Sequence, residues 1–321
     1  MPIDISSLYY IYNPKTPLEH KALNGIDLKI DDGDFLGIVG RTGCGKSTLI
    51  QHLNALLVPT SGIIKVDEFI NSSEKKKSTK KMSPLRKRVG LVFQFSEYQL
   101  FEETVLKDVA FGPKNFGRKK DEAIEDAKKA LSLVGLDSSF YERSPFELSG
   151  GEKRRVAIAG ILAIKPKYLV VDEPTSGLDP MGAKEMMDLF SKIHDEGTTI
   201  ILVTHDMDIL LSYCNKVVVM EEGKIIRQCS PNSLFDFDCE AYSLETPKVL
   251  SFASYLKGDG MKLDLNSVKD VSSLSKEIPL HLSRYFPRYH YELPATDVDH
   301  MKKLQKCAQK YLSWVYLGNV W

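Results

Sequence analysis

Several things are scarce in this 321-residue sequence, and each scarcity excludes something. It has five cysteines (Cys44, Cys214, Cys229, Cys239 and Cys307), with no CxxC and no Cys/His spacing among them. That speaks against a zinc site or a disulfide framework and fits a reducing compartment. Charge of one sign is not in excess, since 43 Lys+Arg balance 43 Asp+Glu. No global field therefore draws the chain to nucleic acid or to an acidic membrane, and no nucleic acid is expected as a partner. Long apolar runs are missing too: YLVV at 168–171 and TIILV at 199–203 fall far short of the roughly 20 residues that cross a bilayer. The opening MPIDISSLYY is not a basic-then-apolar signal peptide. These absences predict a cytoplasmic chain whose role at a membrane, if it has one, is peripheral. The strongest local imbalance is 74–88, with eight basic residues against one acidic, which reads first as a solvated, expanded loop and second as a lipid or partner contact.

What is present is an alternation of strands and helices. ALNGIDLKI and GDFLGIVG read as strands, a helix opens after 45–48, and LVFQF at 91–95 reads as a further buried strand. Residues 104–146 have a helical pattern, with FGPKNFG marking a break. KYLVVDEP and TTIILVTH are continuous apolar runs ending in polar residues, as expected for parallel strands buried on both faces. NKVVVMEEGKIIRQCS reads as a last hairpin turning at Glu222-Gly223. The pattern predicts an α/β sheet with its ligand beyond the strands' carboxyl ends. The character changes after about residue 235. Val298, Met301, Leu304, Ala308, Tyr311 and Val315 fall at helical spacing, so 237–321 reads as a small, mostly helical appendage, its apolar stripe serving as core or as an oligomer interface.

The chemistry concentrates in a few stretches. GRTGCGKST, comprising Gly40, Arg41, Thr42, Gly43, Cys44, Gly45, Lys46, Ser47 and Thr48, follows a strand and precedes a helix. Backbone N–H groups of such a loop surround phosphates, Lys46 reaches the terminal ones, and Ser47 offers its hydroxyl to Mg²⁺. In YLVVDEP, Asp172 ends a strand where it can hold Mg²⁺, and Glu173 follows where it can polarise an attacking water. His205 ends the next strand within reach of a γ-phosphate, and Gln94 is placed to sense Mg²⁺ or the water. Tyr12, with Tyr10 as runner-up, is the aromatic that could stack on adenine; packing in the core is the competing reading. A second glycine turn, Ser149-Gly150-Gly151 ahead of a helix, could also face an anion. Cys44 lies at a helix N-terminus beside Lys46, which favours the thiolate and predicts greater reactivity than the other cysteines wherever solvent reaches it. The alternative is a small residue fitted into a tight turn.

Together these segments resemble the ATP-binding cassette (ABC) ATPases over roughly residues 5–235: phosphate loop, Gln94, LSGGE, VVDEP, SGLD and His205. The resemblance implies a P-loop NTPase fold with a RecA-like core, an antiparallel β subdomain and a helical subdomain at about 100–165. The nucleotide-binding domain would span 1–236, with a helical extension at 237–321 that helps pair the cassettes. It implies Mg²⁺ with ATP, and two cassettes that sandwich two ATP molecules head to tail. Ser149, Gly150, Gly151 and Glu152 of one chain would then contact the ATP held by its partner, and Asp179 of SGLD would lie at the dimer seam. That answers why one chain carries two glycine loops. Glu152 stands where the signature more often has Gln, and both can hydrogen-bond; Ser96 replaces a proline common after Gln94.

A narrower resemblance joins TGCGKSTLIQHLNALLVPTSG, VGLVFQFSEYQLFEETVLKDVAFGPKN and SPFELSGGEKRRVAIAGILA to the cobalt-transporter-like ATPases of energy-coupling factor (ECF) transporters, in particular the second of their two paralogous cassettes. It implies a paralogous ATPase partner, a transmembrane coupling subunit and a small substrate-binding membrane subunit, with the chain at the cytoplasmic face of the cell membrane. Uptake of vitamins or transition-metal ions would be the work done, with specificity held outside this chain. The rival is a non-transport cassette acting on ribosomes or DNA. Ribosomal types usually carry two cassettes in one chain, and DNA-repair types insert coiled coils or zinc modules absent here. A dead scaffold is disfavoured because Lys46, Ser47, Asp172, Glu173 and His205 are all present.

Overall fold

A computed structural model describes residues 2–73, 82–236, 244–258, 263–270, 273–274, 280–283, 297–309 and 315–318. It divides into two units, Met1–Glu245 and Thr246–Trp321.

The first unit is built on two sheets. β1 (Ile3–Tyr12), β2 (His20–Ile30), β4 (Ser61–Val66) and β5 (Phe69–Ser72) form an antiparallel sheet in the order β2-β1-β4-β5. β3 (Phe35–Gly40), β6 (Val89–Val92), β7 (Tyr168–Asp172), β8 (Thr199–Val203) and β9 (Lys216–Glu221) run parallel, with β10 (Lys224–Cys229) antiparallel at the edge, in the order β10-β9-β3-β8-β7-β6. Every residue of β7 and β8 is buried, as their unbroken apolar sequence requires.

The strand pleat sorts the side chains of the parallel sheet into two cores. Val170, Ile201, Val203 and Val218 point into a core shared with Ile3, Ile5 and Ile26 of the antiparallel sheet and with Leu49, Ile50 and Leu53 of α1 (Lys46–Leu53). Their neighbours Leu169, Val171, Ile200, Leu202, Val217 and Val219 point into the other core. There they meet α3 (Val105–Asn115), α4 (Lys120–Leu133), α5 (Gly150–Leu162), α6 (Pro180–Asp195) and α7 (Met207–Tyr213). A period of two on a buried strand therefore places α1 and the antiparallel sheet on one face and the helices on the other. At the start of β7, Lys167 bonds Asp67 at 2.7 Å and Asp32 at 3.0 Å, and the Tyr168 hydroxyl donates to Asp32 at 2.7 Å, pinning the two sheets together.

Several sequence expectations shift here. β6 stops at Val92, so Gln94 lies two residues past the strand. The break expected at FGPKNFG falls at the end of that segment, because α3 continues through Pro113 to Asn115 and the chain leaves the helix at Phe116-Gly117. The basic stretch is not all loop: Ser83–Arg88 forms the short helix α2, while 74–81 lies outside the described residues. The hairpin turn is where the sequence put it, with Glu222 and Gly223 both at positive φ (46° and 75°), the backbone a tight β9–β10 turn demands.

In the second unit, α8 (Lys248–Gly258) buries Val249, Leu250 and Ala253. The helical spacing read over 298–315 holds only through α9 (Val298–Ala308). Val315–Gly318 is instead a strand, β12, paired parallel with β11 (Leu280–Ser283). Its VYLG sequence is aromatic and β-branched, and a pairing partner 35 residues upstream decides its state. Tyr311 and Cys239 lie outside the described residues, as does the side chain of Cys307. Among the described residues no helix is long and apolar enough to cross a membrane.

His52, on α1, is fully buried. Its Nδ1 lies 2.7 Å from the Thr48 carbonyl and its ring packs edge-on to Tyr10 at 4.7 Å. Burial, only partly offset by hydrogen bonding to backbone carbonyls, lowers its pKa from 6.5 to about 4. The unfolded chain therefore takes up this proton first. The stability tied to neutral His52 is complete above pH 6.5 and is lost as pH falls toward 4, by roughly 2 kcal/mol at pH 5. Urea titrations at pH 7 and pH 5 should show wild type losing that much more stability than His52→Leu; equal losses would remove His52 as the cause.

Candidate active site

The phosphate loop links β3 to α1, and two of its glycines are obligatory. A Cβ on Gly40 (φ +145°) would lie 2.1 Å from the Met220 carbonyl oxygen, and one on Gly45 (φ +106°) 2.5 Å from that of Ala22. The close approach and the positive φ leave only glycine. Lys46 turns back over the loop, its Nζ donating to the carbonyls of Gly40 (2.6 Å) and Arg41 (3.1 Å).

A cavity of about 500 Å³ opens at the carboxyl ends of the parallel strands. Thr42, Gly43, Gly45, Lys46, Ser47 and Thr48 line it from the loop, Asp172 and Glu173 from the end of β7, His205 from beyond β8, Gln94 from beyond β6, and Tyr12 from β1. Each strand end contributes because parallel strands in one sheet finish on the same side. His20, Ala22 and Val203 also line the cavity. Sequence reasoning missed them, although His20 pairs directly with Tyr12 across the β1–β2 hairpin.

Within the cavity, Ser47 Oγ donates to Asp172 Oδ2 at 3.3 Å, which sets a hydroxyl and a carboxylate side by side. Burial first, and then the Glu173 charge, push the Asp172 carboxyl above its ordinary pKa, against the Ser47 hydrogen bond and the Lys46 charge. Two hard oxygen donors at a phosphate-sized loop suit a Mg²⁺ that arrives with nucleotide and keeps water ligands. No cluster of three metal-binding side chains exists among the described residues, so such an ion would depend on phosphate oxygens. Glu173 has φ +48°, rare for a non-glycine residue and concentrated at functional sites. Its Oε2 lies 2.8 Å from His205 Nδ1. Tyr12, rather than Tyr10, faces the cavity, its hydroxyl 3.2 Å from Thr48 Oγ1. Tyr10 packs edge-on to Tyr12 at 4.8 Å and against His52.

Cys44 differs from its expectation. It is 6 % exposed, and burial, outweighing the Lys46 charge, raises its thiol pKa. A side chain at Gly40 would strike its sulfur at 2.9 Å. It is a small residue packed into a tight loop, and the solvent access on which the expected reactivity depended is slight.

Ser149, Gly150, Gly151 and Glu152 do not line the cavity, and neither does Asp179. Ser149 caps α5 in a capping box: its Oγ accepts from Glu152 N (3.4 Å), while Glu152 Oε2 accepts from Ser149 N (2.8 Å) and Oγ (2.7 Å). Those hydrogen bonds hold the Glu152 carboxyl below its ordinary pKa. Gly150 and Gly151 are exposed, and a side chain at either would meet open space. Asp179 caps α6 through Gly182 N at 2.8 Å.

The family profile described as "ABC transporter" matches residues 23–176. A solved structure of cbiO1 from Clostridium perfringens, part of the ABC transporter complex cbiONQ, superposes with a TM-score of 0.65 at 38% identity, covering 79% of this chain and 98% of that one. A post-hydrolysis dimer of the ATP-binding cassette MJ0796 bound to ADP and Pi superposes with a TM-score of 0.63 at 27% identity, covering 71% and 98%. The fold is that of the ABC-type ATPases, and the chain belongs to that class. The energy-coupling factor transporter ATP-binding protein EcfA2 of Streptococcus pneumoniae serotype 2 is 49% identical over 272 residues, 84% of this chain and 96% of its own length. That of Enterococcus faecalis is 50% identical over 267 residues, covering 82% and 92%. The chain belongs to the ATP-binding proteins of energy-coupling factor transporters.

Proposed function

We propose that this chain is the second of two paralogous cassettes in an energy-coupling factor transporter, hydrolysing MgATP at the cytoplasmic face of a cell membrane. It would work with a transmembrane coupling subunit and a small substrate-binding membrane subunit to power uptake of vitamins or transition-metal ions. One observation carries the reading: residues 42, 43 and 45–48 of the loop line one cavity with Gln94, Asp172, Glu173 and His205, whereas Gly40, Arg41 and Cys44 do not line it, and the signature turn 149–152, exposed at 149–151, does not line it either. The nucleotide in this cavity thus needs a signature turn from another chain, and this chain's turn serves another nucleotide.

In the reaction, Lys46 and the loop N–H groups bind the β- and γ-phosphates, and Ser47 with Asp172 would hold Mg²⁺. The ion, when bound, neutralises charge building on the bridging oxygens. Glu173 accepts a proton from the attacking water, and His205, 2.8 Å away, holds that carboxylate and reaches toward the γ-phosphate. Gln94 orients the water, and Tyr12 stacks on adenine. A docking face for the coupling subunit is available beside Gln94, where Phe95, Tyr98, Phe101 and Phe111 are 46 %, 84 %, 56 % and 40 % exposed. Phe101 and Phe111 already pack edge to face at 4.8 Å, and such a patch marks an interaction surface.

Affinity-tagged chain, purified from detergent-solubilised membranes, should bring down a second cassette, a polytopic membrane protein and a small membrane protein. Recovery with ribosomes or DNA instead would overturn the reading. Ser149→Arg should abolish hydrolysis by the paired cassettes while the isolated chain binds MgATP within about twofold of wild type. Loss of that binding would place the signature turn in this chain's own site.

A further inference from the structure

Arg154 sits on the first turns of α5, four residues beyond Gly150, and its guanidinium is buried. Its Nε and Nη2 grip Glu97 at 3.2 and 3.0 Å, a two-pronged ion pair with the side chains 8 % and 15 % exposed. Its Nη1 donates to the carbonyls of Ser176 at 2.8 Å and Pro174 at 3.3 Å. One cation thus fastens three segments. The first is the helix whose start carries 149–152. The second is the turn Ser96–Gln99, which joins Gln94 in the cavity to the exposed Tyr98. The third is the turn that directly follows Glu173. By contrast, the neighbouring Arg155 bonds the Val134 carbonyl and Glu185.

The third attachment bears on the chemistry. Glu173 is held at φ +48°, and its own carbonyl accepts from Ser176 N at 3.2 Å. A non-glycine residue keeps such a backbone only where its surroundings over-determine it. The Arg154 bonds to carbonyls 174 and 176 are part of that restraint. The second attachment supplies the charge that makes burial of the guanidinium tolerable, so Arg154 and Glu97 cannot move independently without stranding a buried ion. The planar fork is what lets one side chain face a carboxylate on one edge and two carbonyls on another, which a lysine ammonium cannot do.

We infer that Arg154 is a positioning residue for hydrolysis: it holds the turn behind Glu173 and ties it, through Glu97, to the aromatic docking segment at Phe95–Tyr98. A partner pressing on that segment is thereby felt at the water-activating carboxylate, and nucleotide binding is felt at the docking face. The inference rests on the transport reading above. A wild-type pair of cassettes that fails to hydrolyse ATP would count against that reading, whereas the inference is judged on variants of a pair that does.

The test uses the chain paired with its paralogous cassette, carrying 3-fluorotyrosine at Tyr98 and read by fluorine NMR with MgATP. Arg154→Lys should lower kcat about tenfold while MgATP affinity stays within about twofold, and the MgATP-induced shift at Tyr98 should vanish. Glu97→Gln keeps the shape and both carbonyl bonds; it should at least halve the Tyr98 response with a smaller fall in kcat, about threefold. Wild-type kcat and a wild-type Tyr98 response in Arg154→Lys would overturn the inference. So would Tm, MgATP affinity and kcat falling together in both variants, because Arg154 would then only hold the fold.

Discussion

Glu173→Gln should leave MgATP binding within about twofold of wild type and lower kcat by about 10²–10⁴-fold, the range a positioned general base contributes. Glutamine keeps the size of the side chain and can keep a hydrogen bond to His205 Nδ1, now 2.8 Å from the carboxylate. It cannot take the proton of the attacking water. Since Lys46, Ser47 and Asp172 remain, the nucleotide is still held, and the paired cassettes should accumulate in an ATP-bound form. Single-turnover hydrolysis beside equilibrium binding separates the two effects. A variant that turns over at the wild-type rate would remove Glu173 from the role of base.

Lys46→Ala should act on the other half of the cycle. Lys46 is the loop's one ammonium, and it also ties the loop through the carbonyls of Gly40 and Arg41. Charge-assisted hydrogen bonds are worth about 1.5–3 kcal/mol, so MgATP affinity should fall by roughly 10- to 150-fold, with hydrolysis lost at ordinary nucleotide concentrations. Isothermal titration on the isolated chain measures it. Unchanged affinity would mean that the terminal phosphates lie elsewhere.

The contiguous parts of this site were legible because the chemistry itself is contiguous. A phosphate cradle needs glycines, a lysine and a hydroxyl in fixed order, and a strand ending in two carboxylates places both at the same sheet edge. Tyr10 against Tyr12 was not decidable from sequence, because residues two apart on a strand share a face. The irregular register between Tyr10 and Ile11 helps to separate them, leaving Tyr12 at the cavity and Tyr10 against His52. Cys44 could not be settled from sequence, because the dipole and Lys46 are local features, whereas its burial comes from packing around the loop. Arg154 and Glu97, 57 residues apart, meet only in the folded chain. Nothing local distinguishes Arg154, turned inward, from Arg155, paired with Glu185. The strand at Val315–Gly318 was hidden for the same reason: helical spacing is a local signal, and pairing with Leu280–Ser283 is not.

The central claim is that ATP is hydrolysed at a site completed by a second cassette, and the dependence of ATPase activity on protein concentration tests it most directly. With this chain and its paralogue mixed at equal, rising concentrations, specific activity should climb steeply from near zero and level off where light scattering shows the dimer. Specific activity that stays constant down to concentrations where only monomer scatters would contradict it.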